Sequence, residues 1–83
     1  MYYLYIVKCS DQTLYTGIAK DVQKRVVEHN SSDLGAKYTK ARRPVKLVYS
    51  KNFRTRSTAS REEARIKKLS RKEKSLLIKN EKK

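Results

Sequence analysis

From Tyr2 to Cys9 the chain gathers aromatic, β-branched and leucine side chains into one short run, and that enrichment predicts a strand. Ser10-Asp11-Gln12 supplies turn chemistry, and Thr13 to Ile18 predicts a second strand, antiparallel to the first through a short hairpin loop. The near-symmetric placement of Tyr5 and Tyr15 about that turn predicts cross-strand neighbours. Asp21 is placed to cap a helix whose apolar stripe, Val22, Val26 and His29, follows at i, i+4 and i+7 and carries it to about Asn30. Residues 30–43 are polar and basic, a loop with room for a short helical piece. Pro44 opens an extended run, Val45 to Tyr49, which predicts a third strand of the same sheet; proline is tolerated at a first strand position because its missing N–H costs least there. Ser57 is placed to cap a helix running through Leu69, although Ser60 with Glu63 also matches a capping box and offers a later start. Ser70 with Glu73 matches a second capping box and opens a last helix carrying Leu76, Leu77 and Ile78, ahead of a charged tail expected to fray from about residue 79. The order β-β-α-β-α-α describes an α+β fold, a three-stranded antiparallel sheet flanked by helices. Residues 1–83 form one domain, with no internal repeat, low-complexity block or linker.

Charge narrows the function. Lysine and arginine number 22 against 8 acids, for a net charge of +14 on 83 residues. So small a domain buries only a modest core, and such a charge repels itself in the compact state. A polyanion is the expected partner, nucleic acid before a membrane surface, because no segment has the apolar length to span a bilayer. The N-terminus has no basic region or small-residue cleavage site, so no signal peptide is expected. Cys9 is the only cysteine, which excludes a disulfide framework or a cysteine zinc site within the chain and fits a reduced, cytoplasmic location. The chain is silent on oligomeric state.

Five residues are candidates for chemistry. Tyrosine titrates near pH 10, and a strongly positive environment would lower that value by favouring phenolate, so Tyr5 and Tyr15 are candidate bases as well as ordinary strand aromatics. Gly17, inside the second strand, either lets a backbone or phosphate approach closely or marks a bulge. Arg25 lies beside the buried stripe of its helix, three residues after Val22 and four before His29, where its planar fork suits a phosphate. His29 can move a proton near neutral pH or serve as a satisfied helix-end residue. Glu63, if interior to its helix, shares a face with Ala59 and Ile66; a carboxylate there is costly unless paired or bound to a cation, and one carboxylate with water and substrate phosphate suits Mg²⁺. Glu62 points elsewhere. Two basic runs, Lys37 to Arg43 and Arg65 to Lys74, fit phosphate-backbone contact or solubility. The nucleic-acid-binding candidates are Lys20, Lys24, Lys37, Lys40, Arg42 and Arg43.

Together these residues resemble the GIY-YIG nuclease superfamily, and in particular its small stand-alone bacterial members, over nearly the whole chain. Tyr3-Leu4-Tyr5 stands where the first motif belongs and Tyr15-Thr16-Gly17 where the second does. Arg25, eight residues past Gly17, matches the helix arginine; His29 takes a position often held by tyrosine or histidine; and Glu63 matches the metal-binding glutamate. The resemblance implies hydrolysis of phosphodiester bonds with one divalent metal, Mg²⁺ or Mn²⁺, on nucleic acid, with DNA expected ahead of RNA, little sequence preference and a place in DNA repair. It implies Tyr15 as general base, Arg25 on the scissile phosphate, Glu63 on the metal, Tyr5 positioning water or phosphate, and His29 assisting. The alternative is a binding module that keeps the fold without catalysis; a basic ribosome-surface protein is a third reading. The sequence departs from the family at Tyr3, where the motif has glycine, at Thr16, where it has isoleucine, and at Ile18, where the excision-repair incision domain has a lysine. That last departure removes a cation expected near Tyr15, and Lys20 is the candidate to replace it.

Overall fold

The computed structural model describes residues 1–31 and 37–81. Strands β1 (Tyr2–Lys8), β2 (Leu14–Ala19) and β3 (Lys46–Phe53) form one antiparallel sheet in the order β2-β1-β3. Helix α1 (Val22–Ser31) and a single turn, α2 (Lys37–Lys40), connect β2 to β3, and helices α3 (Arg56–Lys67) and α4 (Arg71–Glu81) follow. The apolar run predicted as a first strand is thus the central one, paired on both edges.

Because alternate residues of β1 face opposite ways, it serves two cores at once. Leu4 and Ile6 pack with Tyr49 and Ile66 under α3 and α4, and Tyr5 and Val7 pack with Cys9 and Val45 on the α1 side. Leu4, Tyr5, Ile6 and Val7 are all buried; each such side chain contributes about 1.5–3 kcal/mol, so this strand anchors both layers. A bulge between Ile6 and Val7 shifts the β1–β3 register, so that Val48 and Tyr49, adjacent in sequence, both pack on the α3–α4 side.

The hairpin turn is closed by Cys9 N–H donating to Thr13 O at 2.8 Å and Gln12 N–H donating to Cys9 O at 3.0 Å. Gln12 takes a positive φ of 72°, and the Asp11 carboxylate holds the turn by accepting from the Thr13 N–H and hydroxyl. Asp21 caps α1 as expected, accepting from Lys24 N–H at 3.0 Å. The Ser70–Glu73 capping box is also formed, with both reciprocal bonds, at 2.9 and 3.2 Å.

Three expectations are corrected. Helix α3 starts at Arg56, so Ser57 is inside it: its N-cap is Thr55, two residues earlier, whose hydroxyl accepts from Thr58 N–H, and Ser60 lies within the helix rather than capping one. Strand β3 begins at Lys46, two residues after Pro44, and continues past Tyr49 to Phe53. Helix α4 runs to Glu81, beyond the predicted fraying point at residue 79. Lys82 and Lys83, and Gly35 of the connecting loop, lie outside the described residues.

Candidate active site

Tyr5 and Tyr15 are not direct partners. The register sets Tyr5 opposite Gly17 and Tyr15 opposite Val7, which puts the two tyrosines diagonally on the α1 face of the sheet. Gly17 is required by this pairing. A Cβ at residue 17 would lie 2.5 Å from Tyr5 Oη and 2.7 Å from its Cζ, so the Tyr5 ring occupies the space that any side chain there would need.

Tyr5 Oη lies 2.8 Å from His29 Nε2, and His29 Nδ1 lies 2.9 Å from Thr39 Oγ1. All three residues are buried. The Arg25 guanidinium acts on the Tyr5 hydroxyl in the direction that favours phenolate. A neutral imidazole has one donor and one acceptor nitrogen, so the Tyr5 and Thr39 hydroxyls take opposite roles toward His29. Burial holds the His29 pKa below its ordinary value, reinforced by the charges of Arg25 and Arg43, so the ring is neutral at pH 7. Tyr15 meets the same ring edge-on, with centroids 5.4 Å apart. His29 thus touches both tyrosines.

The positive surroundings do not lower the Tyr5 pKa. Burial raises it and outweighs Arg25, and the charges of Tyr15 and Glu63 add to the rise. Tyr5 is therefore a firmly protonated hydrogen-bond donor and not a base, whereas Tyr15 is only partly buried.

Arg25 is held on its other side by Glu28, whose Oε1 accepts from Nη1 at 3.0 Å. Glu63 is interior to α3, on the stripe between buried Ala59 and Ile66, with its side chain a quarter exposed. Its carboxylate makes a loose contact of 3.5 Å with Lys67 and acts electrostatically on Tyr5. The adjacent Glu62 is fully engaged, accepting two bonds of 2.7 Å from Arg65. The described residues contain no cluster of three metal-ligating side chains. A lone, partly exposed carboxylate fits a hard cation that retains water and takes oxygens from a phosphate, and does not fit a closed protein cage.

The basic candidates divide. Lys24 and Lys40 are exposed. Lys20 is exposed over the Tyr2 ring, 5.4 Å from its centroid, at the opposite end of the hairpin from Tyr15, so it does not supply the cation expected there. Ile18 pairs with Leu4, and strand alternation sets it on the α3 face. Arg42 donates to Asp11 at 3.0 Å across the hairpin turn. Arg43 donates to the His29 carbonyl at 2.6 Å, a cation at the C-terminus of α1. Lys37 opens α2, but its side chain is outside the described residues.

Sequence reasoning missed Thr39, Asn30 and Glu28. Thr39 completes the His29 bonds from a separate turn, and nothing in its local sequence signals that. Asn30 clasps the Val45 backbone through both its amide groups, at 3.0 and 2.6 Å, and so ties α1 to the start of β3. Glu28 was legible as the i+3 partner of Arg25.

A family model described as the GIY-YIG catalytic domain matches residues 1–76. The chain belongs to the GIY-YIG family. Members are typically endonucleases, generally use divalent metals, and imply a nucleic-acid substrate. This GIY-YIG chain is 56% identical over 77 residues to the UPF0213 protein of Staphylococcus saprophyticus, covering 93% of each. It is 52% identical over 78 residues to that of Halobacterium salinarum, covering 94% of this chain and all of the relative. The solution NMR structure of the UPF0213 protein of Bacillus halodurans matches with a TM-score of 0.61 at 41% identity, over 95% of this chain and 84% of that one. A protein of E. faecalis matches with a TM-score of 0.64 at 42% identity, over 95% and 83%. Among the described residues, no helix of this GIY-YIG domain is long and apolar enough to cross a membrane.

Proposed function

We propose that this GIY-YIG domain is a divalent-metal-dependent endonuclease that hydrolyses phosphodiester bonds, in DNA ahead of RNA, with little sequence preference. The observation that carries the reading is the contact of one neutral, buried imidazole with both motif tyrosines, on the side of the sheet where Arg25 stands and within electrostatic reach of Glu63. A packing role alone gives no reason for a buried Tyr–His–Thr chain to adjoin an arginine and a glutamate.

Glu63 would hold the cation, Mg²⁺ or Mn²⁺, which when bound supplies charge stabilisation on the phosphate and the departing oxygen. Arg25 binds a non-bridging phosphate oxygen, with Glu28 fixing the direction of its fork. Tyr15, acting as its phenolate, takes a proton from the attacking water as the water oxygen bonds to phosphorus and the P–O ester bond breaks, and the departing oxygen takes a proton from solvent. Tyr5 keeps its proton and orients water or phosphate, held in place by His29 and Thr39. Exposed Lys24 and Lys40 are placed to touch backbone, which carries no sequence information, and that supports weak sequence preference.

The test is cleavage of labelled single-stranded, duplex and branched DNA and of RNA, with Mg²⁺ or Mn²⁺ and with EDTA, for wild type and Tyr15→Phe. Metal-dependent cutting lost in Tyr15→Phe is expected. Binding without cutting on every substrate would instead make the domain a nucleic-acid-binding module on a nuclease fold.

A further inference from the structure

A cavity of about 420 Å³ opens between α4 and the hairpin end of the sheet, away from the tyrosine cluster. Four cations line it: Lys8 from the end of β1, Lys46 from the start of β3, and Arg71 and Lys79 from α4. Its floor is apolar, with Leu14 and Ile78 part of the packing around Leu4, Ile6, Tyr49 and Ile66. A smaller hollow continues from it, sharing Leu14 and Arg71 and adding Lys74. No carboxylate among the described residues lines either one.

This arrangement gathers charge of one sign in one concave place. Elsewhere the chain sets carboxylates against its cations: Arg25 has Glu28, Arg42 has Asp11, Arg65 has Glu62 and Lys67 has Glu63. Here four like charges from three elements converge on one hollow, and Arg71 donates to the neutral Gln12 carbonyl. A concave, single-signed site focuses potential and draws a polyanion. We propose that this groove is a second phosphate-backbone site for nucleic acid, on the face of the sheet opposite Tyr5 and Tyr15. The two faces follow from the packing: the groove floor belongs to the α3–α4 core, and the tyrosines belong to the α1 core. The groove therefore holds nucleic acid without touching the catalytic tyrosines, and the proposal stands whether or not the domain cleaves.

The experiment is a binding titration of labelled duplex DNA across a range of salt, in EDTA so that no cleavage occurs. It compares wild type, Lys46→Glu with Lys79→Glu, and a control of equal charge change, Arg54→Glu with Arg61→Glu. All four positions are exposed, and the control pair does not line the groove. Losing two phosphate contacts should lower the steepness of log K against log salt by about 1.8 and weaken binding about tenfold at moderate salt. The control should change both far less. Groove variants that bind as wild type does, a control that loses as much as they do, or no binding by wild type would each overturn the proposal. Thermal melts of both variants distinguish lost contacts from lost folding. If the groove variant is unfolded, Lys46→Gln with Lys79→Gln must give the same direction of effect, or the proposal fails.

Discussion

Gly17 and Tyr5 occupy one cross-strand pair, and the ring takes the volume that a side chain on residue 17 would fill. Gly17→Ala should therefore displace a buried ring and cost about 1–3 kcal/mol, read as a lower urea midpoint at unchanged slope. A loss under about 0.5 kcal/mol, the range of an ordinary surface change, would show that the ring has other room. His29 allows a second test at this scale. It is the only histidine, and its folded pKa lies below its unfolded value near 6.5. The unfolded chain thus takes up a proton that the folded chain refuses as pH falls through 6.5. Stability contributed by neutral His29 is complete above that pH and declines below it, before the carboxylates titrate. Melting temperature should fall between pH 7.5 and 5.5 in wild type and stay nearly flat in His29→Gln; parallel curves would contradict the assignment. Tyr15, Arg25, His29 and Glu63 were singled out in the sequence by their match to the order and spacing of the family's motifs, since each alone reads as readily as packing, capping or surface charge. The protonated state of Tyr5 was not, because its pKa depends on burial between β1 and α1, and the whole-chain charge pointed the other way.

At the scale of elements, α3 matters most because it carries Glu63. Thr55→Ala should cost about 1 kcal/mol by removing the hydroxyl that accepts from Thr58 N–H, whereas Ser57→Ala should stay within about 0.5 kcal/mol. Equal losses in the two variants would restore Ser57 as the cap. The start of α3 was ambiguous in the sequence because Thr55, Ser57, Thr58 and Ser60 all offer capping hydroxyls within one and a half turns. The far half of β3 was hidden for a different reason. Ser50, Lys51 and Asn52 are exposed and polar, and their pairing with Tyr5, Leu4 and Tyr3 is a property of the neighbouring strand. The last helix was legible because its capping box is local, with both partners within four residues.

The whole molecule carries +14 within extents of 28 × 28 × 24 Å. Many of its charges lie within a few Debye lengths of one another at low salt, so screening should stabilise the fold. Melting temperature should rise by several degrees between low and physiological salt, about 4–8 °C for each kcal/mol of repulsion relieved. A flat response would mean that the surface ion pairs already neutralise the field. The same charge distribution puts a basic groove on the face opposite Tyr5 and Tyr15, and only the tyrosine face is where we propose phosphodiester hydrolysis.

Adjacent glutamates decide that assignment. Glu63 has a loose lysine contact and acts on Tyr5 through its charge, while Glu62 is locked to Arg65. The measurement is the single-turnover cleavage rate with saturating Mg²⁺ or Mn²⁺ for wild type, Glu63→Ala and Glu62→Ala, with DNA binding measured alongside. We expect Glu63→Ala to bind DNA and not cut it, at least 100-fold down in a role of this kind, about 2.7 kcal/mol of lost stabilisation. Glu62→Ala should cut within a few-fold of wild type. Cleavage retained in Glu63→Ala, or lost equally in both, would contradict a metal-dependent nuclease centred on Glu63.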